Sequence, residues 1–189
     1  MRIIQGDYKG RQIKTISGPG YRPATGKVRQ AIFSMLEARG IEWSQVRGID
    51  LFAGSGILGI EALSRGVQEM WFVEKNSKAA QTIQDSLLHL EVPKQYFRVI
   101  SYDVLSLLKK KNTQPFQLIF IDPPYRKELF QPVMERLVSP VWIAEPGFIV
   151  AEVESHLDIS FSQFSGLDLC INRTYGQTRV CLWTVKSKR

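Results

Sequence analysis

From Val46 onward the chain repeats one rhythm: a short apolar run, a turn, then a helical pattern. Apolar runs stand at 46–52, 70–74, 97–101, 118–122 and 148–153. Between them lie helical patterns at 57–65, closed by Gly66, at 77–90 with Asn76 as cap, and at 104–111 with Asp103 as cap. Another helix is predicted after Tyr125, where Pro132 either opens it or kinks it. Strands that are apolar throughout, alternating with helices, belong to a parallel sheet covered on both faces. Residues 169–175 and 178–185 flank Gly176-Gln177 and read as an antiparallel hairpin that ends the sheet. Residues 1–16 read as a second hairpin around Gly6-Asp7-Tyr8-Lys9-Gly10. Thr25 then caps a helix whose Val28, Ala31, Ile32, Met35 and Leu36 form one stripe, closed by Gly40. The expected fold is α/β: a doubly wound, Rossmann-like sheet over 25–189, preceded by a basic hairpin extension over 1–24.

Several classes are set aside early. No apolar run approaches the roughly 18 residues of a membrane helix. The start, Met1-Arg2-Ile3-Ile4-Gln5-Gly6-Asp7, lacks the apolar segment of a secretory signal, so a cytoplasmic protein is expected. Cys170 and Cys181 form no CxxC pair, and His89 and His156 are the chain's histidines, so neither a disulfide framework nor a metal site is expected. The cysteines read as small buried hydrophobes. The net charge of +7 is uneven: residues 1–30 carry +6, residues 168–189 carry +4, and the middle is mildly acidic. Basic ends fit a polyanion partner, and Tyr8 and Tyr21 among the N-terminal cations favour one with bases to stack on. A solvated, solubilising surface explains the charge equally well. Lys109-Lys110-Lys111 needs no partner, because cations suit the last turn of a helix.

Gly54-Ser55-Gly56-Ile57-Leu58-Gly59 follows the first strand and opens a helix, and Glu74 lies 20 residues after Gly54 at the end of the second strand. This arrangement fits a nucleotide site: glycines admit the ligand to the backbone, and the acid accepts from ribose hydroxyls. Asp50, four residues before the first glycine, is badly placed for a pyrophosphate. It suits S-adenosylmethionine, which brings a sulfonium and an ammonium. Asp50, Glu74 and Asp103 each end successive predicted strands and favour that cofactor over a nicotinamide dinucleotide, although Asp103 also reads as a helix cap.

Asp122-Pro123-Pro124-Tyr125 ends the fourth strand. The prolines restrict Asp122 and Pro123 to extended backbone and remove local N–H groups. A carboxylate, a carbonyl and an aromatic ring are then presented together. These suit a planar amine on an aromatic base: its two N–H groups go to the acceptors and its ring stacks on Tyr125. Gripping both hydrogens aims the nitrogen lone pair at a methyl donor. The same residues also make a rigid turn, but their place after the fourth strand of a glycine-loop sheet argues against that as their whole role.

Those residues together resemble the class I methyltransferases that modify amino groups, and more narrowly the RsmD family of 16S ribosomal RNA guanine-N2 methyltransferases. The likeness runs through Arg2-Ile3-Ile4, Lys9-Gly10-Arg11, Arg22-Pro23, Val28-Arg29-Gln30-Ala31-Ile32-Phe33, Asp50 to Gly59, and Glu61-Ala62-Leu63-Ser64-Arg65-Gly66. It continues through Phe72-Val73-Glu74-Lys75, Asp122 to Tyr125, and Tyr175-Gly176-Gln177-Thr178. Ala24 and Gly26 depart from the family's usual pattern in the loop after Arg22-Pro23. The resemblance implies a seven-stranded sheet with an antiparallel closing hairpin. It implies cofactor contacts from Asp50, Phe52, Gly54, Ser55, Gly56, Glu74, Asp103 and Asp122, and catalysis by Asp122, Pro123, Pro124 and Tyr125. Arg2, Lys9, Arg11, Arg22 and Arg29 are expected to meet RNA in the small ribosomal subunit, with the protein acting as a monomer. A target guanine within structured RNA must be turned outwards. Two alternatives remain: a DNA adenine-N6 methyltransferase, since the same loop serves adenine, and a non-catalytic RNA-binding assembly factor. A nicotinamide oxidoreductase has no evident use for the Asp122 loop.

Overall fold

The structure, a computed structural model, describes residues 1–15, 25–124, 128–138, 141–159 and 164–186. Arg22, Pro23, Ala24 and Tyr125 lie outside the described residues. Seven strands form one sheet: β1 (Arg47–Leu51), β2 (Glu69–Val73), β3 (Phe97–Ile100), β4 (Phe116–Ile121), β5 (Ile143–Glu154), β6 (Leu167–Tyr175) and β7 (Thr178–Val185). Their order is β3-β2-β1-β4-β5-β7-β6. The first five run parallel, and β7 lies antiparallel between β5 and β6. The chain steps outward from β1 to β3 and returns to β4 on the other side of β1. The strand order therefore reverses between β1 and β4, and the crevice at their carboxyl ends is where open α/β sheets bind ligands.

Helices cover both faces, as the apolar strands require. On one face α1 (Gly26–Glu37), α2 (Ile57–Ser64) and α3 (Ser77–His89) contribute Ile32, Phe33, Ile60, Ile83 and Leu87 to a core with Phe72, Phe120, Val150 and Leu182. On the other, α4 (Val104–Leu107) and α5 (Phe130–Leu137) pack Leu107, Val133, Met134 and Leu137 against Ile49, Leu51, Ile119 and Trp183. Side-chain caps start α1, α3 and α4. The Thr25 hydroxyl accepts from Val28 N–H, and the Asn76 side chain accepts from Lys78 and Ala79. Pro132 occupies the third position of α5, where no intrahelical N–H partner is needed. The helix over 104–111 is shorter than its pattern: α4 ends at Leu107, because Leu107 and Leu108 are its last buried side chains and Lys109 to Lys111 face solvent. None of the described helices is long and apolar enough to cross a membrane.

The N-terminal segment pairs its ends through one antiparallel bridge, Arg2 with Gln12, rather than through two strands. Ile3 donates to the Arg11 carbonyl at 3.0 Å and Ile13 to that of Met1 at 2.8 Å. Gly10 N–H crosses the turn to the Ile3 carbonyl at 2.9 Å, whereas four other donors turn to α2. Ile4 and Gln5 N–H groups bond the Glu61 carboxylate at 3.0–3.1 Å, Asp7 N–H bonds the Ser64 carbonyl at 2.7 Å, and Tyr8 N–H bonds the Ser64 hydroxyl at 3.0 Å. Gly6 makes this approach possible at φ +87°: a side chain there would put Cβ 1.7 Å from the Ser64 carbonyl oxygen. Ile3 and Ile13 enter the same core as α1 and α2.

Candidate active site

Four strand ends build the site. After β1, Phe52 takes a left-handed φ of 66° that only glycine adopts without strain. Gly54 and Gly56 follow at φ 55° and 75°, and Gly56 starts α2. At the end of β2, Glu74 ties this loop down: its carboxylate accepts from Gly54 N–H at 2.9 Å and from Asn76 N–H at 2.8 Å. Asp50, 2% exposed on β1, accepts from Gly59 N–H at 3.1 Å. Gly59 serves packing, since a Cβ there would stand 2.3 Å from the buried ring of Phe72. Gly59→Ala is expected to destabilise the protein by about 1–3 kcal/mol, read from its urea-unfolding midpoint.

Burial raises the Asp50 pKa to about 7, with Glu74 adding repulsion and the Gly59 N–H opposing. Asp122 follows β4 beside the Asp50 strand, with Pro123 buried and Pro124 half-buried. Burial also pushes the Asp122 carboxyl well above the ordinary aspartate range, reinforced by Glu152 and Asp50. Asp103 differs. It is the cap of α4, accepting from Ser106 N–H at 2.9 Å with Lys75 at 3.6 Å, and these contacts, led by the Ser106 bond, lower its pKa. Buried acids that repel one another, as Asp50 and Asp122 do, suit a cationic ligand.

The Asp50 shift has a measurable consequence for the ligand-free chain. Its folded pKa lies above its ordinary value of 3.8, so the folded state binds that proton more tightly. The resulting stabilisation is full below about pH 4 and is lost as pH rises through 7. Asp50→Asn is expected to gain up to about 4 kcal/mol over the native chain at pH 8 and little at pH 4, read from denaturant unfolding at both values.

A family model described as Conserved hypothetical protein 95 matches residues 1–184. Ribosomal RNA small subunit methyltransferase D of Escherichia coli (strain K12) is 33% identical over 154 residues, covering 82% of this chain and 75% of that protein. The chain belongs to the ribosomal RNA small subunit methyltransferase D family. YlbH of Bacillus subtilis (strain 168) is 38% identical over 185 residues, covering 97% of this chain and 98% of its own. Among solved structures, yhhF from Escherichia coli matches with a TM-score of 0.84 at 29% identity, covering 100% of this chain and 99% of that one.

Within this family member, the structure brings Asp50, Phe52, Gly54, Ser55, Gly56, Glu74 and Asp122 to one edge of the sheet, with Asp103 at the same edge beyond Glu74. The expected RNA-facing cations divide. Arg2 and Lys9 are exposed. Arg29 is turned inward: it is 5% exposed, and its guanidinium bonds the Arg2 carbonyl at 3.2 Å and Glu61 at 3.4 Å. The buried acid on α2 draws it inward. Arg11 is half-buried and donates to the carbonyls of His89 and Leu90, at 2.6 and 3.2 Å, which ends α3. Cys181 is buried, with its thiol pKa pushed up to about 11 by burial, whereas Cys170 is only half-buried on the outer strand β6. Among the described residues, no group of His, Cys, Asp and Glu could hold a metal ion.

Two acids were not singled out from the sequence. Glu61, fully buried, joins the N-terminal segment to Arg29 and Arg65. Glu152, 4% exposed on β5, acts on Asp122. In each case the available signal was one charge inside an apolar run, Ile57-Leu58-Gly59-Ile60-Glu61-Ala62-Leu63 or Ile149-Val150-Ala151-Glu152-Val153.

Proposed function

We propose that the chain is an S-adenosylmethionine-dependent methyltransferase that methylates the exocyclic N2 amine of a guanine in 16S ribosomal RNA. Its substrate is the assembled small subunit, and it works as a cytoplasmic monomer. The observation that carries this reading is the juxtaposition of two loops across the β1–β4 crevice: Asp50 to Gly56 on one side and Asp122-Pro123-Pro124 on the other. Family membership, with relatives named as ribosomal RNA small subunit methyltransferases, supports the RNA substrate.

The residues present fit the cofactor. Asp50 is a buried acid with a pKa near neutrality, and a cation beside it offsets the cost of its ionisation. Glu74 ends β2 with its carboxylate against the glycine loop, where an acid accepts from ribose hydroxyls, and the loop after β1 presents backbone in place of side chains at Gly54 and Gly56. When bound, S-adenosylmethionine supplies an electrophilic methyl group on a sulfonium. Asp122 and the Pro123 carbonyl hold the amine hydrogens, so that the nitrogen lone pair points at that methyl group. Tyr125 stacks on the base, and Arg2, Lys9 and Arg22 hold phosphates.

The test is transfer of labelled methyl to small subunits from a strain lacking the gene, with naked ribosomal RNA and duplex DNA alongside and the product nucleoside identified by mass spectrometry. N2-methylguanosine in the subunits is expected. N6-methyladenine in DNA would replace this reading with the DNA one.

A further inference from the structure

Glu152 stands at the level of Asp122. In the β4–β5 register Ile121 pairs with Ala151, so the next residues along these parallel strands are Asp122 and Glu152. Adjacent strands lie about 4.8 Å apart. Ile149, Ala151 and Val153 belong to the core under α4 and α5, so alternation turns Glu152 to the opposite face. Asp50 faces that same side, because its neighbours Ile49 and Leu51 belong to the α4–α5 core. Asp122 follows β4, the strand flanked by β1 and β5, and so comes between the two.

We propose that Glu152 is a positioning residue acting through Asp122, making that carboxylate the acceptor of the proton that the target amine must lose. The proposal rests on Asp122 being the amine grip. In the transfer, the nitrogen lone pair forms the new N–C bond while the C–S bonding pair returns to sulfur, which leaves as a neutral thioether. The nitrogen now carries a positive charge and two hydrogens. One passes to an Asp122 oxygen as a proton, its bonding pair staying on nitrogen, and the product is a neutral methylamino group. Asp122 returns the proton to water as the product leaves.

An ordinary aspartate, with a pKa near 4, is a weak base for this step at neutral pH. A catalytic base works best when its pKa approaches the working pH. Among the described residues, the charged groups acting on Asp122 are Glu152 from β5 and Asp50 from β1, with Glu74 beyond Asp50, and these acids favour its protonated form. On β7 the residue paired with Glu152 is Val180. In the helical layer on that side, Arg29 and Arg65 are held by Glu61.

Glu152→Gln in the full chain tests this. The expected result is a kcat lower by about tenfold, with KM for the RNA substrate within about twofold. The acidic limb of the kcat–pH profile should move down by roughly one pH unit, because a negative neighbour has been removed. Carboxyl-carbon NMR of the ligand-free chain should show Asp122 titrating lower in the variant than in the native protein. An Asp122 resonance that titrates at the same pH in both would overturn the proposal. If the variant does not fold, the native chain decides: coupled carboxylates each show both titration steps, and independent titration sinks the idea. Absence of methyl transfer by the native protein would count against the proposed function, and the NMR titration would still judge the pair.

Discussion

Asp122→Ala is expected to lower methyl transfer by roughly 10²–10³-fold while leaving S-adenosylmethionine affinity nearly unchanged, measured by single-turnover transfer and by calorimetry. The substitution removes an acceptor that orients the amine, while the acids facing the cofactor, Asp50 and Glu74, keep their own N–H contacts. Stability should move the other way. Asp122 is an acid whose folded pKa is raised, so its ionisation opposes folding as pH climbs above the ordinary aspartate range. The alanine variant should therefore unfold at a higher temperature than the native chain at pH 8, and the advantage should shrink towards pH 4. Lost turnover in a protein of undiminished stability separates a chemical role from a folding defect. Unchanged turnover would remove Asp122 from the mechanism.

Glu61→Ala should give the largest loss of stability, about 3–5 kcal/mol. The native carboxylate is fully buried, accepts the N–H groups of Ile4 and Gln5, and faces both Arg29 and Arg65. Removing it takes the shared carboxylate from two guanidiniums whose side chains are only 6% and 3% exposed, leaving Arg29 with the Arg2 carbonyl and Arg65 with Glu37. The Arg65 guanidinium also lies over the Phe33 ring at 4.2 Å, so its displacement would disturb the core of α1. The N-terminal segment should loosen first, with faster amide exchange at Ile4, Gln5, Asp7 and Tyr8. Denaturant unfolding within about 1 kcal/mol of the native protein would show that the segment is held by its apolar contacts instead.

Local periodicity made much of the fold legible. Strand positions emerged from apolar runs because a doubly covered sheet demands them, and the caps Thr25, Asn76 and Asp103 were visible because capping acts within a few residues. Asp50, the glycine loop, Glu74 and Asp122 were legible for a related reason: the carboxyl ends of parallel strands share one edge, so strand order in sequence already gathers them. The N-terminal segment was only half-legible. Its turn residues promised a hairpin, but whether its donors crossed the turn or reached α2 depended on residues 56 and 57 positions away.

Charged residues mark where sequence and tertiary structure part. By itself, the sequence determined the α/β class and the position of the crevice loops. Only the tertiary structure decided that Arg29 and Arg11 bond backbone carbonyls within the fold, that Glu61 anchors the N-terminus, and that Glu152 stands beside Asp122. The physical reason is that periodicity and turn chemistry act over a few bonds, whereas the effect of a charge depends on burial and on which opposite or like charge lies within a few ångströms. That proximity is created when β5 pairs with β4 and when the first residues of the chain settle on α2.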